Sequence, residues 1–265
     1  MKALLAQLDP TPDPEVNAAR VCELIADHPD RELVALPELF LGGYAMSDLE
    51  RRALAPGDGP LERIAAVCRD HATAVVVGFT EAVDRDRSVY ANSAASFDRD
   101  GSPLRVYRKT HLFGAAEAAA FVAGAELRLV ELAGVMVGPL ICFDVEFPAP
   151  ARRLGAAGAE LLLTIAANMA PYEADHRLAT RARALDNRRH HLYVNRVGEE
   201  SGHRFVGRTR AIAPDGEILA ELDDAEGTLA IDLDLLPPVS AAVDYLRLLR
   251  TDLPVVEDKQ PGGVR

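Results

Sequence analysis

Short, nearly continuous apolar runs alternate along this chain with longer stretches in which apolar residues return every three or four positions. The first pattern marks strands buried on both faces, and the second marks amphipathic helices. Residues 2–8 form the first strand, and Asp13-Pro14-Glu15 opens a helix carrying Val16, Ala19, Val21 and Ile25 at helical spacing. Residues 32–36 read as a short strand that stops at Pro37-Glu38, before the Gly42-Gly43-Tyr44 loop. Leu61 to His71 is a helix with Ile64, Ala65 and Cys68 on one face, and Ala74 to Phe79 is an apolar strand. Tyr90 to Phe97 and Leu104 to Lys109 flank a glycine-bearing turn and predict a hairpin.

The second half repeats this order. Val135 to Phe143 reads as a strand, Pro148 to Ala157 as a helix, and Glu160 to Ala166 as a strand ending at Ala167-Asn168. Arg177 to Arg188 reads as a helix and His191 to Asn195 as a strand. A second hairpin, Val206 to Ala213 and Glu217 to Leu222, turns on Pro214-Asp215-Gly216. An internal pseudo-repeat follows. Two mostly apolar sheets, each needing helices on one face, satisfy one another by packing together, which predicts a four-layer α-β-β-α sandwich.

Length and composition narrow this picture. A chain of 265 residues can bury one large α/β core, so a single domain over 1–265 is expected, with a peripheral extension from about residue 235. A net charge of -12 argues against nucleic acid as a general partner. The three cysteines, Cys22, Cys68 and Cys142, are scattered, in neither a disulfide framework nor a metal-ligand spacing, which fits a reduced compartment. The first apolar run is too short for a signal peptide, and no segment is long and apolar enough to span a bilayer. A soluble cytoplasmic protein with no membrane association is the expectation.

Candidate chemistry lies at strand ends. Glu38 follows the second strand of the first half, Lys109 ends its last strand, and Cys142 ends the first strand of the second half. Ligands of open α/β sheets bind beyond the carboxyl ends of strands. An acid, a cation and a thiol have complementary roles there: Glu38 as general base and then acid, Cys142 as nucleophile, and Lys109 with the Phe143 backbone N–H as oxyanion donors. Each residue has a plainer reading: a free cysteine commonly fills core space, and acids and lysines at strand ends commonly face water. Cys142 could also serve as a redox sensor, although no resolving cysteine is near it in sequence. Tyr44 and Asn168 follow strand ends at equivalent places in the two halves, as pocket-lining residues or as core and turn residues. Glu146 is either a substrate-recognising acid or a turn acid paired with Arg152 or Arg153. His111 reads as a structural residue, and the His190-His191 pair has no partner at ligand spacing, so no metal is expected.

Three blocks carry a resemblance. Leu36-Pro37-Glu38 with Gly43-Tyr44, Tyr107-Arg108-Lys109-Thr110-His111-Leu112-Phe113, and Cys142-Phe143-Asp144-Val145-Glu146-Phe147-Pro148 with Arg152 resemble, in order, the catalytic blocks of the nitrilase (carbon-nitrogen hydrolase) superfamily. The resemblance implies an α-β-β-α fold, no metal or organic cofactor, a catalytic triad of Glu38, Lys109 and Cys142, and an accessory glutamate at Glu117. It also implies a homodimer or a higher homo-oligomer acting on a small-molecule substrate. The Cys-Phe-Asp-Val-Glu-Phe-Pro block resembles the aliphatic amidase and carbamoyl-hydrolase branches. The lysine block and residues 167–172 are similar to bacterial 5-aminopentanamidase-type enzymes acting on ω-amino amides; on the reading of Glu146 as a recognising acid, its carboxylate would pair with the ammonium of such a substrate. Nitrile hydrolysis, N-carbamoyl hydrolysis and a catalytically silent binding subunit are the alternatives. Two departures stand out: Ala149 replaces the usual glutamate after Phe-Pro, and Gly207-Arg208-Thr209 replaces Gly-x-Ser.

Overall fold

The computed structural model describes residues 1–235, 245–250 and 252–254. Its first half contains β1 (Lys2–Gln7), α1 (Pro14–Asp27), β2 (Leu33–Ala35), α2 (Leu49–Arg52), α3 (Gly59–His71), β3 (Ala74–Asp84), β4 (Val89–Phe97), β5 (Tyr107–Arg108) and α4 (Gly114–Ala120). Next come β6 (Val130–Leu132), β7 (Val135–Ile141), a 3₁₀ turn (Cys142–Glu146), α5 (Pro148–Ala156), β8 (Leu161–Ala166), α6 (Glu173–Asn187) and β9 (His190–Asn195). The remaining strands are β10 (Val197–Glu200), β11 (His203–Val206), β12 (Arg210–Ile212), β13 (Ile218–Glu221) and β14 (Gly227–Asp232).

Two six-stranded sheets result, in the orders β14-β1-β2-β3-β4-β5 and β6-β7-β8-β9-β12-β13. In both, three central parallel strands are flanked by antiparallel ones, so the halves match strand for strand. The equivalence has one twist. The second sheet opens with its own edge strand β6, whereas the matching edge of the first sheet is β14, supplied from the far end of the described fold.

Alternation along the strands builds the layers. Ala3 and Leu5 of β1 point into a core shared with Val137, Ile141, Leu161, Leu163, Leu192 and Val194 of the second sheet. Leu4 and Ala6 face the other way, onto Val21 and Ile25 of α1 and Leu61, Ile64 and Cys68 of α3. Leu140 and Leu162 do the same against Ala151 and Leu154 of α5 and Ala179 of α6. The architecture is the α-β-β-α sandwich that the sequence predicts.

Several elements differ from expectation. The buried face of α1 is Asn17, Ala18, Val21 and Ile25, and Val16 is exposed. The face turns because Asn17 is wanted inside: its Nδ2 donates to Thr11 O at 2.7 Å and to Leu41 O at 3.0 Å. Strand β3 runs on to Asp84 and pairs with β4 along its length, so the main hairpin of the first half is β3-β4, with short β5 added to β4. Strand β7 stops at Ile141 because Cys142 takes a left-handed backbone, φ +47°. Helix α4, strands β6 and β14, and the β10-β11 hairpin have no counterpart in the sequence reading. The peripheral extension expected from about residue 235 falls mostly outside the described residues. Among the described residues no helix is long and apolar enough to cross a membrane.

Candidate active site

The loop after β2 sets the first reactive group. Leu36 N–H bonds to Val76 O at 2.9 Å, and the chain then crosses β3 so closely that a Cβ on Gly78 would lie 2.4 Å from both Leu39 N and Pro37 O. Only glycine accommodates that approach. Glu38 is thereby turned inward and fully buried. Its Oε1 accepts Lys109 Nζ and Asn92 Nδ2, each at 2.7 Å, and its Oε2 accepts the Ala167 N–H at 2.7 Å.

Lys109 follows β5 and is held by its own backbone, whose N–H donates to Asn92 O at 2.8 Å. Its ammonium bridges Glu38 and Glu117, the latter at 2.9 Å. Glu117, in the first turn of α4, also accepts Tyr44 Oη at 2.6 Å and the Phe113 N–H at 2.9 Å. Burial works to lower the Lys109 pKa, but the charges of Glu38 and Glu117 outweigh it and hold the group above the ordinary lysine range. Lys109 is therefore an ammonium. Glu117 is pushed up by burial, with Lys109 pulling the other way and Glu38 adding to the rise. Burial also raises the Tyr44 phenol, helped by Glu117 and Glu38, so it remains a donor.

Cys142 sits where β7 breaks into the 3₁₀ turn, beside this cluster. A cysteine with φ +47° is held against its preference, as residues at reactive turns often are. Its thiol is pushed well up, first by burial and then by the negative charge of Glu38; Lys109 opposes these, and the Ala167 N–H also favours the thiolate. The turn is pinned by Asp144, fully buried, which collects Tyr107 Oη at 2.7 Å, Thr110 Oγ1 at 2.7 Å, the His111 N–H at 2.9 Å and the Ile141 N–H at 3.1 Å. Asp144 thus ties the residues flanking Lys109 to the cysteine turn. His111 bonds to Asp144 through Nδ1 at 2.8 Å and stacks on Phe147 at 4.1 Å, a structural place.

Glu38, Lys109, Glu117 and Cys142 therefore converge, and Tyr44 joins them through Glu117. Phe143 follows Cys142 directly and packs edge-on against Phe113 at 5.3 Å and Phe147 at 5.0 Å. Asn168 is next to the cluster, but its side chain shapes its own turn, with Nδ2 donating to Tyr172 O at 3.2 Å and Oδ1 accepting the Met169 N–H at 3.0 Å. Glu146 ends the cysteine turn and faces neither Arg152 nor Arg153: its Oε1 is 3.3 Å from Nε2 of buried His176, and its side chain keeps 29% of its exposure. Asn92 and Asp144 escaped the sequence reading. Among the described residues no group of three or more His, Cys, Asp or Glu side chains could hold a metal ion.

An α-β-β-α sandwich whose strand ends bring together a buried thiol, a carboxylate and an ammonium, with a second carboxylate from α4, defines a thiol hydrolase. The carbon-nitrogen hydrolase family model matches residues 2–236, and the chain belongs to that family. It is 40% identical to a "hydrolase in pqqF 5'region" of Pseudomonas protegens, over 96% of this chain and 90% of that protein. It is 35% identical to an (R)-stereoselective amidase of a Pseudomonas species, over 96% and 92%. Among solved structures, an amidase from Nesterenkonia superposes with a TM-score of 0.84 at 30% identity, covering 94% of this chain and 93% of that one. In a structure of a glutamate-to-glutamine mutant of that amidase, with the same TM-score and identity and 94% of each chain covered, the active-site cysteine carries the acetamide moiety of fluoroacetamide.

Proposed function

We propose that the chain hydrolyses small aliphatic amides to a carboxylic acid and ammonia through a thioester on Cys142. The observation that carries this reading is the buried cluster in which one ammonium lies between two carboxylates beside the thiol. In the resting site the thiol keeps its proton, because a thiolate there would join two carboxylates against one ammonium. Proton transfer to Glu38 is then coupled to attack on the carbonyl carbon, as the oxyanion takes up negative charge facing Lys109 and the Phe143 N–H. Glu38 returns the proton to the leaving nitrogen, ammonia departs, and a water that gives its proton to Glu38 releases the acid. Glu117 and Tyr44 hold Lys109 in place.

The substrate end that reaches Glu146 sets the finer specificity. Its partly exposed carboxylate, four residues past the nucleophile and beside the half-exposed ring of Phe147, suits the ammonium of an ω-amino amide. Ammonia release measured across amino amides, neutral amides, N-carbamoyl amines and nitriles tests the reading. Amino amides should lead, and Cys142→Ala should abolish turnover; unchanged turnover by that variant would overturn the assignment. A homodimer in light scattering is the expected assembly.

A further inference from the structure

Asn92 lies on β4, almost fully buried, and reaches Glu38 from the sheet side. Its Nδ2 donates at 2.7 Å to Oε1, the same oxygen that takes Lys109 Nζ at 2.7 Å. Its Oδ1 is buried without a hydrogen-bond partner. An unmatched buried acceptor is disfavoured in a folded protein and marks a side chain kept for another reason. The reverse orientation would set two acceptor oxygens against each other, so the charge of Glu38 keeps Nδ2 turned toward it. A carboxylate oxygen has two lone-pair positions, and two donors fill both on Oε1. On Oε2 only the Ala167 N–H is found among the described residues, at 2.7 Å, and that N–H also acts on the Cys142 thiol.

We propose that Asn92 is a positioning residue that saturates Oε1 of Glu38 and so makes Oε2 the oxygen that carries the proton. This rests on the amide-hydrolase reading above. The Cys142 S–H bond breaks as its proton goes to Oε2 and a C–S bond forms to the carbonyl carbon. The C–N bond then breaks as Oε2 returns the proton to nitrogen. Water next gives a proton to Oε2 as its oxygen bonds to the thioester carbon, and that proton passes to sulfur as the C–S bond breaks. Asn92 never exchanges a proton. It orients Glu38 by donating to Oε1, so that replacing it changes the surroundings of the proton acceptor without touching the nucleophile. The other groups facing Glu38 are Lys109, Glu117, Cys142, Tyr44 and Tyr193, all of them present in every variant below.

Two near-isosteric variants test it. Asn92→Leu removes the donor without adding charge, and should lower kcat about tenfold or more with KM held within about twofold, because the lost contact acts in the chemical step. The acid limb of its kcat/KM profile should move to higher pH. Asn92→Asp sets a second carboxylate against Glu38 and should move that limb further in the same direction. The pH profile of Cys142 alkylation by iodoacetamide reads the same proton acceptor without turnover, and its acid limb should shift in the same order. Acid limbs that stay put in both assays, in variants that melt like the parent, overturn the proposal. A parent protein that releases no ammonia from any amide overturns the functional reading instead, and the alkylation profile still decides the role of Asn92.

Discussion

In the proposed mechanism one proton passes between Cys142 and Glu38, and the charges around the thiol set how readily it leaves. The negative charge of Glu38 is the second cause, after burial, of the raised Cys142 pKa. Glu38→Gln should therefore lower that pKa, visible as thiolate absorbance appearing at lower pH than in the parent, while ammonia release is lost. A more ionised thiol in an inactive enzyme would show that the base, and not a preformed thiolate, drives the reaction. Lys109→Met acts in the opposite way. It leaves Glu38 and Glu117 buried together without their ammonium, which should cost about 3–5 kcal/mol, read by denaturant unfolding, as well as activity.

The placement of these groups belongs to the elements. The loop bearing Glu38 passes over Gly78 with no room for a methyl group, and Pro37 O accepts the Gly78 N–H at 3.1 Å. Gly78→Ala should displace the loop and lower kcat/KM by about a hundredfold, since a misplacement near 1 Å is that costly, with a smaller loss in melting temperature. The elements of the sandwich that were legible in the sequence are those with long apolar runs, such as Ala74 to Phe79 and Leu161 to Ala166, where burial on both faces leaves no other reading. Strand β14 was not, because it lies at a sheet edge and its residues alternate between exposed and half-buried. The β10-β11 hairpin is short and mostly polar, so it carries little strand pattern. Glu38, Lys109 and Cys142 could be nominated because each follows a predicted strand, but strand ends alone leave the plainer readings open, and it is the resemblance of their three blocks to a known family that singles them out. Asn92 and Asp144 were not legible, since what distinguishes them is a partner brought from 54 residues away for Asn92 and 37 for Asp144.

At the scale of the whole molecule, stability is linked to pH through His191, fully buried on β9. Its Nδ1 donates to Thr180 O at 3.0 Å, and in the neutral ring its Nε2 accepts Thr164 Oγ1 at 2.8 Å. Burial, aided by the charges of Arg210 and Arg183 and opposed by the bond to Thr180, lowers its pKa from 6.5 to about 4. Between those values the unfolded chain binds a proton that the folded chain refuses. The contribution of His191 is therefore fully present above about pH 6.5 and declines by about 3 kcal/mol as the pH falls to about 4. His191→Gln should remove that part of the slope, measured as the difference in unfolding free energy between parent and variant across the range.

The borrowed edge strand has a consequence in time. Lys2 of β1 pairs with Asp232 of β14, and Gln7 with Gly227, so the first sheet closes only when nearly the whole described fold has been made. At ribosomal rates the edge of β1 waits unpaired for roughly ten to fifty seconds, with an apolar strand open to any neighbour. The second sheet, whose edge strand β6 precedes its partner, has no such wait. During synthesis the vulnerable part of this protein is therefore the half that is made first.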